Sequence, residues 1–316
     1  MARRRRSRGP REDPGPSGFL VVDKPPGCTS HDIVDAARKW LGTRRVGHLG
    51  TLDPAATGVL PLAVRNATKL INYVQDGRKV YAGRVRLGVT TDTLDAEGTE
   101  TEVFSGELPA AAQVEQALGA FRGEIQQVPP MFSAVKVGGV PLHKLAREGK
   151  AVEREPKTVT IERLELTGYE PPLASIQVEC SGGTYVRVLA ADLGEHLGCG
   201  AHLAELRRVR SGPFEEGQAR TPDTLQAAAE SGKIEECLLS PLGVLGLPAL
   251  RLSPHEIRRL ARGGDLDAQG PPQPPGTVMA AHDEQGEVVG ILELRPGRRL
   301  KPLRVMPQAA DGAQNP

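Results

Sequence analysis

One carboxylate stands in an apolar, glycine-rich segment, GHLGTLDPAATGVLPL at residues 47–62. Asp53 lies between Leu52 and Pro54, and the proline biases the aspartate towards an extended conformation. A carboxylate buried among apolar side chains is neutralised by a proton or a cation unless it has a chemical task. The segment therefore predicts either a simple Asp-Pro turn or a reactive carboxylate whose partner the fold must supply.

The length of the chain, 316 residues, suggests two domains, and a hydrophobic content of 39% is enough for a sizeable core. No run approaches about 18 consecutive apolar residues, which excludes a membrane-spanning helix. The basic N-terminus lacks the apolar stretch of a secretory signal, so we expect a cytoplasmic protein. The cysteines are too far apart for a zinc site and predict reduced, buried thiols: Cys28, Cys180, Cys199 and Cys237.

The charge of the chain is balanced in total and uneven along the sequence. The net charge is +1, from 40 lysines and arginines against 39 acidic residues, and six of the arginines lie within the first twelve residues. Arg207, Arg208 and Arg210 form a second basic cluster. Local charge, rather than the total, determines the field that a phosphate backbone meets, so composition neither requires nor excludes nucleic acid. Residues 1–16 have almost nothing to bury and predict a disordered basic tail.

Hydrophobic periodicity predicts a mixed α+β fold. GFLVVDKPPG at residues 18–27 is typical of a buried strand that ends at Pro-Pro-Gly, and KVYAGRVRLGV at 79–89 alternates as a strand. Thr29 or Ser30 can cap a helix directly after the first strand. Helical spacing or capping residues predict helices over residues 29–41, 66–76, 110–122, 221–232 and 253–262.

Residues 178–198, VECSGGTYVRVLAADLGEHLG, predict a strand, a tight Gly-Gly turn, a second strand and then a helix. In that second strand Tyr185 and Arg187 are two positions apart, so their side chains face the same side. Asp92, Asp95 and Glu97 lack the spacing of a calcium loop, and we predict a solvated turn there.

Composition shifts near residue 240, which predicts a domain boundary. A Pro/Gly-rich connector follows the last predicted helix, and TVMAAHDEQGEVVGILEL at residues 277–294 is typical of two strands joined by a turn. We therefore divide the chain into a first domain over 17–240, a small, mostly β domain over 248–308 and a short tail over 309–316.

Several motifs in order resemble the TruB family of tRNA pseudouridine synthases. Residues 47–61 match the family motif G-H-x-G-x-L-D-P-x-A-x-G-x-L-P. The resemblance continues in KPPGCTSHD, Lys79-Val80-Tyr81, LGVTTDTLDAEG, VPPMFSAVKVGGVPLHKLAREG and GTYVRVLAADLGEHLGCGAHLAELRR. Together these motifs cover nearly all of residues 18–215, whereas the likeness of residues 287–305 to a PUA-like RNA-binding end is shorter and looser.

The resemblance implies a fold and an activity. The first domain is expected to be a pseudouridine synthase catalytic domain with a mixed, largely antiparallel sheet flanked by helices. Residues 124–157 are expected to form an insertion that grips RNA, and residues 248–308 a PUA-like domain. The implied reaction converts the T-loop uridine of tRNA, conventional position 55, to pseudouridine after base flipping. The implied partner is tRNA alone, bound by a monomer that needs no metal and no cofactor.

The resemblance also assigns the catalytic residues. Asp53 matches the nucleophile, which attacks either the uracil ring or the ribose C1′. Arg187 matches the arginine that pairs with that carboxylate and keeps it ionised. Tyr81 matches the tyrosine that stacks on the target base and relays or accepts the C5 proton. A surface arginine and a core tyrosine are the structural alternatives for the last two.

The remaining assigned residues bind the uridine or the RNA. His48 matches the histidine that holds the extruded nucleotide, Tyr185 packs against the uridine, and Leu206 matches an apolar wall of its pocket. The basic pair Arg207 and Arg208 is expected to bind RNA. The alternative for His48 is a purely structural histidine, and the alternative for Leu206 is an ordinary leucine of the core. Within the insertion, the side chains expected to contact RNA or pack on it are Met131, Phe132, Lys136, His143, Lys144, Arg147 and Lys150, and Phe132 stands where many relatives carry tyrosine.

Two other functions remain compatible with these motifs. One is a tRNA-binding or tRNA-folding module without necessary catalysis, although a pure binder has no need of a carboxylate at Asp53. The other is guide-RNA-directed pseudouridine synthesis, as in the dyskerin branch. The insertion at 124–157 favours recognition of tRNA by the chain itself.

Overall fold

The computed structural model describes residues 13–74, 77–133, 136–137, 139–142, 152–269 and 272–306. Within them, a large mixed sheet and a smaller sheet account for most of the strands. The strands are β1 Gly18–Lys24, β2 Val46–His48, β3 Thr57–Val64, β4 Lys79–Leu87, β5 Val89–Thr91, β6 Glu100–Val103, β7 Gly123–Gln127, β8 Lys136–Val137, β9 Val140–Pro141, β10 Lys157–Glu170, β11 Leu173–Cys180, β12 Ala201–Ser211, β13 Phe214–Glu215, β14 Ala249–Arg251, β15 Leu266–Asp267, β16 Val278–His282, β17 Val288–Arg295 and β18 Arg299–Val305.

The helices flank these sheets, and several begin at the residues that the sequence indicates. Thr29 caps the first helix in a capping box with Asp32, Thr221 caps the helix that starts at Pro222, and Ser253 caps the sixth. In the described part of the chain the α-helices are α1 Ser30–Trp40, α2 Ala111–Leu118, α3 Val186–His196, α4 Pro222–Glu230, α5 Pro241–Leu245 and α6 Pro254–Ala261. The 3₁₀ helices are Arg65–Lys69, Ile71–Tyr73, Gly119–Phe121, Glu216–Gln218, Ile234–Cys237 and Pro296–Arg298.

The large sheet has the strand order β1-β3-β12-β4-β11-β10-β7, with β2 beside β3 and β13 beside β12. All of these pairings are antiparallel except that of β12 with β3. The parallel pair sets Gly58 opposite Arg208, and a Cβ on Gly58 would lie 2.3 Å from the Arg208 carbonyl oxygen. Only glycine allows the two strands to approach this closely, which explains its place in the motif.

The main core lies between this sheet and helices α1 to α4. It contains the helical residues Ile33, Val34 and Ala37 together with strand residues such as Leu60 and Val85. The helix predicted over 110–122 is confirmed, because Val114 and Leu118 are fully buried on α2.

The smaller sheet has the order β14-β16-β17-β18-β15, which confirms the β-rich C-terminal part. It has a core of its own around Leu252, Leu260 and Leu292. A second apolar cluster joins the two sheets through α5, because Val244 and Leu245 lie in one cluster with residues of both: Phe19, Val21, Val59, Ala63, Ala280, Val288, Ile291 and Met306.

Two predictions about local structure were wrong. The segment expected to be one α-helix over 66–76 forms two short 3₁₀ helices, although Leu70 is buried as expected. The second strand expected after the Gly-Gly turn is absent from the described residues, because α3 begins at Val186. Tyr185 is therefore the N-cap residue of a helix and Arg187 lies in its first turn.

Residues 13–16, at the end of the predicted N-terminal tail, contact the first domain. Asp13 accepts a hydrogen bond from Thr43 Oγ1 at 2.6 Å, and its carboxylate lies 3.5 Å from the buried Arg65 guanidinium. Arg65 also donates to the Pro16 carbonyl at 2.9 Å. Residues 13–16 are therefore anchored on the first domain, whereas residues 1–12 lie outside the described part. None of the described helices is long and apolar enough to cross a membrane.

Candidate active site

Asp53 is held in place by the residues on either side of it. Ser30 Oγ accepts from the Leu52 amide at 2.8 Å and donates to the Leu52 carbonyl at 3.0 Å. Lys24, which is fully buried, donates to the carbonyls of Pro54 and Ala56 at 2.9 and 2.7 Å. Side-chain hydrogen bonds from the end of β1 and the start of α1 to the loop backbone thus fix the loop that carries the carboxylate. Such support is what an active carboxylate needs to keep its geometry.

Arg187 reaches Asp53 from the first turn of α3. Its Nη2 lies 3.3 Å from Asp53 Oδ2 and 3.4 Å from Oδ1. The same nitrogen donates to the Phe132 carbonyl at 2.8 Å. The pairing expected from the motif is therefore present in the structure, although a helix rather than a strand supplies it.

Asp95 holds the other side of the Arg187 guanidinium. Nη1 donates to Asp95 Oδ2 at 3.1 Å, and Asp95 Oδ1 accepts from Thr93 Oγ1 at 2.6 Å and from the Glu97 amide at 3.1 Å. The prediction of a solvated turn is wrong for Asp95, which is buried in this network. Asp95 lies in the segment LGVTTDTLDAEG, which resembles the TruB family, but its polar sequence neighbours do not indicate that it binds Arg187.

Some features of the surroundings of Asp53 raise the pKa of its carboxyl group, and others lower it. Loss of solvation in the cavity raises the pKa of Asp53 above its ordinary value, and the Asp95 charge adds to that rise. Arg187 and then Lys24 oppose it. The side chain of Asp53 is still 45% exposed, so a substrate can reach it. Arg187 therefore offsets part of the loss of solvation at an accessible carboxylate.

A cavity of about 450 Å³ opens over this carboxylate. Asp53, His48, Tyr185 and Arg187 line it together with Phe132. A smaller cavity of about 120 Å³ adjoins it and is lined by Asp53, Tyr185 and Arg187 as well as Tyr81, Leu206 and Lys79. The fold thus brings together six of the eight site residues predicted from the sequence. Both cavities lie where strand ends, a loop and the start of α3 meet.

Tyr81 lies on β4 behind Asp53. Burial raises the pKa of its hydroxyl, and the nearby Arg208 guanidinium opposes that rise. The hydroxyl therefore remains protonated at neutral pH and can donate a hydrogen bond. Tyr185 offers a second aromatic face, and its ring centroid lies 5.9 Å from Arg187 Cζ, which is a cation–π distance.

His48 lies on β2 at the cavity wall. Burial lowers the pKa of its imidazole, and the charges of Arg208 and His31 lower it further. The ring is therefore neutral at physiological pH. Its Nδ1 accepts from the Gly50 amide at 3.3 Å, which leaves Nε2 as the N–H donor.

Arg208 does not occupy the RNA-binding position expected for it. It is fully buried, and its guanidinium donates to the carbonyls of Val59, Thr51 and Gly50 at 2.7, 3.2 and 3.1 Å. The guanidinium N–H groups of Arg208 therefore bond the backbone of the motif loop and fix its position. A buried arginine with these bonds cannot also pair with a phosphate.

Arg207 is also engaged within the protein. It forms a bidentate pair with Asp23 at 2.9 and 3.0 Å and donates to Glu216 Oε1 at 2.6 Å. The basic cluster in the sequence thus reflects structural arginines on β12. The other expected RNA contacts, at Lys136, His143, Lys144, Arg147 and Lys150, concern side chains outside the described residues. Among the side chains that the structure does describe, no three of His, Cys, Asp or Glu converge to hold a metal ion.

Comparison with known proteins identifies the family of this chain. Residues 38–186 match the N-terminal domain of the TruB family pseudouridylate synthases, and residues 187–244 match the tRNA pseudouridylate synthase B C-terminal domain. The chain belongs to the TruB family. The tRNA pseudouridine synthase B of Pseudomonas paraeruginosa is 46% identical to this TruB-family chain over 297 residues, which are 92% of the chain and 96% of the relative. The enzyme of the same name from Geobacter sulfurreducens is 46% identical over 247 residues, covering 78% and 81% of the two chains.

Solved structures share the fold of this TruB-family chain. A chain from a Cbf5-Nop10-Gar1 complex aligns with a TM-score of 0.69 and 27% identity, covering 95% of this chain and 87% of that one. A chain from an H/ACA RNP bound to a substrate RNA containing 2′-deoxyuridine aligns with the same TM-score and 25% identity, covering 93% and 86%. The mixed-sheet fold expected from the sequence is thereby confirmed.

Proposed function

We propose that this chain converts uridine to pseudouridine in tRNA, at position 55 of the T loop, with Asp53 as the nucleophile. The observation that carries the proposal is the Arg187-paired carboxylate of Asp53 at the wall of the 450 Å³ cavity. A cavity of this size lies within the usual range for small-ligand sites. Family membership and the names of relatives at 42–46% identity support the reaction class.

The target uridine must leave the RNA stack to reach Asp53, which costs a few kcal/mol. Tyr81 and Tyr185 supply aromatic surface on which the extruded base can stack, and stacking contributes about 1–3 kcal/mol per base. Leu206 forms an apolar part of the same wall. His48, which is neutral, offers an N–H donor to the sugar or phosphate without adding charge.

The reaction needs no redox step. Asp53 attacks the uracil ring or the ribose C1′, the bond from N1 to C1′ breaks, and the base rotates. C5 then bonds to C1′, C5 loses its proton, N1 gains one and the Asp53 carboxylate is released. Splitting a difficult step through a covalent intermediate is the usual role of a carboxylate nucleophile. Arg187 supports it by holding Asp53 ionised and oriented.

The chain is proposed to recognise tRNA by itself. Relatives that carry the name tRNA pseudouridine synthase B are 42–46% identical, whereas the chains from the Cbf5-Nop10-Gar1 complex and the H/ACA RNP are 25–27% identical. We therefore favour a stand-alone enzyme that acts as a monomer over a guide-directed one. Purified protein should then be sufficient for activity without an added protein or guide RNA.

The test is incubation of the purified chain with an unmodified tRNA transcript, followed by mapping of pseudouridine. Asp53→Asn should reduce tritium release from 5-tritiated uridine to background while tRNA affinity changes less than about twofold, because phosphate contacts dominate affinity. Asp35→Asn on the exposed face of α1 is the matched control and should retain full turnover. Pseudouridine elsewhere than position 55, or turnover by Asp53→Asn, would refute the proposal.

A further inference from the structure

Gln127, the last residue of β7, is tied to the start of the helix that carries Arg187. Its side chain is 2% exposed. The Tyr185 amide donates to Gln127 Oε1 at 3.0 Å, and Gln127 Nε2 donates to the Tyr185 carbonyl at 3.3 Å. The side-chain amide thus pairs with both backbone polar groups of one residue, as a neighbouring strand would.

The start of α3 depends on this contact because it lacks a side-chain cap. Tyr185 is the N-cap residue, and its side chain accepts no hydrogen bond from the helix. Its carbonyl already accepts from the amides of Val188 and Leu189 at 3.1 Å each. Without Gln127, the half-buried Tyr185 amide at the start of the helix would lose its hydrogen-bond partner, which is destabilising.

Gln127 itself is fixed by the large sheet. Its backbone pairs with Lys157 at the end of the β7–β10 ladder. The contact therefore runs from a strand of the sheet, through an amide side chain, to the residue two positions before Arg187. Two residues is half a helical turn, so a change in where α3 begins moves the guanidinium relative to Asp53.

The Arg187–Asp53 contact tolerates little movement. At 3.3 and 3.4 Å it is near the outer limit for a hydrogen bond, so a shift of a few tenths of an ångström breaks it. Displacements on the order of 1 Å at an active site can reduce turnover about a hundredfold. Gln127 lines neither cavity over Asp53 and so acts only through the helix.

We infer that Gln127 is a positioning residue for catalysis, which sets the start of α3 and through it the placement of Arg187 against Asp53. The inference rests on the proposed function of Asp53. It goes further by assigning a role to a buried neutral side chain that contacts neither substrate nor the reacting carboxylate.

The first test compares Gln127→Met with Gln126→Met in the full-length protein. Methionine preserves the side-chain length and removes the amide. Gln126 is the exposed neighbour, whose side chain donates to Thr158 Oγ1, and it serves as the matched control. Single-turnover tritium release should fall at least tenfold in Gln127→Met and less than twofold in Gln126→Met. The affinity for tRNA should change less than twofold in both. If Gln127→Met does not fold, Gln127→Glu retains the acceptor for the Tyr185 amide and should show a smaller but measurable loss.

A double-variant cycle distinguishes positioning from general stability. Gln127→Met should add less than about threefold to the loss already caused by Arg187→Lys, because both act on one contact. Independent losses that multiply in the double variant would overturn the inference, as would wild-type turnover in Gln127→Met.

A second measurement does not require activity and so separates this inference from the proposed function. NMR titration of the ¹³C-labelled Asp53 carboxyl reports its pKa directly. Arg187 lowers that pKa, while Asp95 raises it and Lys24 lowers it. Displacement of Arg187 in Gln127→Met should therefore raise the measured pKa. An inactive wild-type protein in which this shift occurs would refute the proposed reaction alone, whereas an unchanged pKa would refute the role of Gln127.

Discussion

Arg187 is bound more closely by Asp95 than by Asp53. The pair with Asp95 is 3.1 Å long, and its side chains are 6% and 12% exposed. The pair with Asp53 is 3.3 Å long at its closest approach and leaves that carboxylate 45% exposed. Asp95 thus anchors the guanidinium, and Asp53 receives a looser bond from an arginine that is already oriented. Because Asp95 holds the guanidinium, Asp53 can break its bond to Arg187 during a reaction.

The anchoring role of Asp95 predicts a loss of turnover without loss of RNA binding. Asp95→Asn keeps the volume and removes the charge that orients Arg187. We expect single-turnover activity to fall at least tenfold, which corresponds to about 1.4 kcal/mol of barrier. Asp92→Asn is the control, because Asp92 is exposed and its carboxylate accepts from the Thr99 amide at 2.8 Å rather than from Arg187. Full activity in Asp95→Asn would contradict this arrangement.

Asp53 is expected to lower the stability of the protein at neutral pH. Its folded pKa lies above the ordinary value of about 3.9, so the folded state holds a proton there more readily than the unfolded chain. The destabilisation is complete above the folded pKa and disappears as the pH falls towards the ordinary value. Asp53→Asn should therefore raise the melting temperature at pH 8, and this increase should become smaller as the pH falls towards the ordinary pKa of an aspartate. A lower melting temperature at pH 8 would show that Arg187 outweighs the loss of solvation.

Helix starts were predictable from the sequence because caps are local. Thr29, Thr221 and Ser253 each bond an amide within three residues, so the sequence alone contains both partners. Gly58 and the motif around Asp53 were also recognisable, since their residues are contiguous. These local patterns do not indicate which residues from distant parts of the sequence contact the Asp53 motif in the folded chain.

The errors arose where tertiary contacts decide the structure. Valines alternate with Tyr185 and Arg187 over residues 185–188, which favours a strand, yet α3 begins at Val186 and its N-cap residue Tyr185 bonds the distant Gln127. Asp95 stands among polar residues, and Arg187, its partner, is 92 positions away in the sequence. Arg208 belongs to a basic cluster, and only the close approach of β12 to the motif loop explains its burial.

The burial of Arg208 predicts a structural rather than an RNA-binding defect. Arg208→Lys loses the fork that bonds Val59, Thr51 and Gly50, and it leaves buried carbonyls without donors. We expect a loss of at least about 2 kcal/mol in the free energy of unfolding, measured with urea. Arg84→Lys, in an exposed pair with Glu205, should change it by less than about 0.5 kcal/mol. Weaker tRNA binding at unchanged stability would restore the original interpretation of Arg208.

An apolar cluster joins the two sheets through α5. If the predicted domains over 17–240 and 248–308 were independent, a protein ending near Leu247 would fold and keep its chemistry. The cluster argues against this, because α5 contacts β1 on one side and β16 on the other. Removal of the C-terminal sheet would expose buried apolar side chains, each of which contributes about 1.5–3 kcal/mol.

Neighbouring residues of β17 allow this coupling to be measured in the full-length chain. Ile291 lies in the joining cluster and Leu292 in the separate C-terminal core, and both are fully buried. Replacement of either residue by alanine should lower the free energy of unfolding of the structure packed around it by about 2–5 kcal/mol. Trp40, the single tryptophan, packs against the main core and reports unfolding of the first domain by fluorescence. Ile291→Ala should lower the Trp40 unfolding midpoint more than Leu292→Ala does, because only Ile291 belongs to the cluster that contacts β1. A Trp40 midpoint in Ile291→Ala equal to that of the wild type would mean that the domains unfold independently, and the protein ending at Leu247 would then be expected to fold.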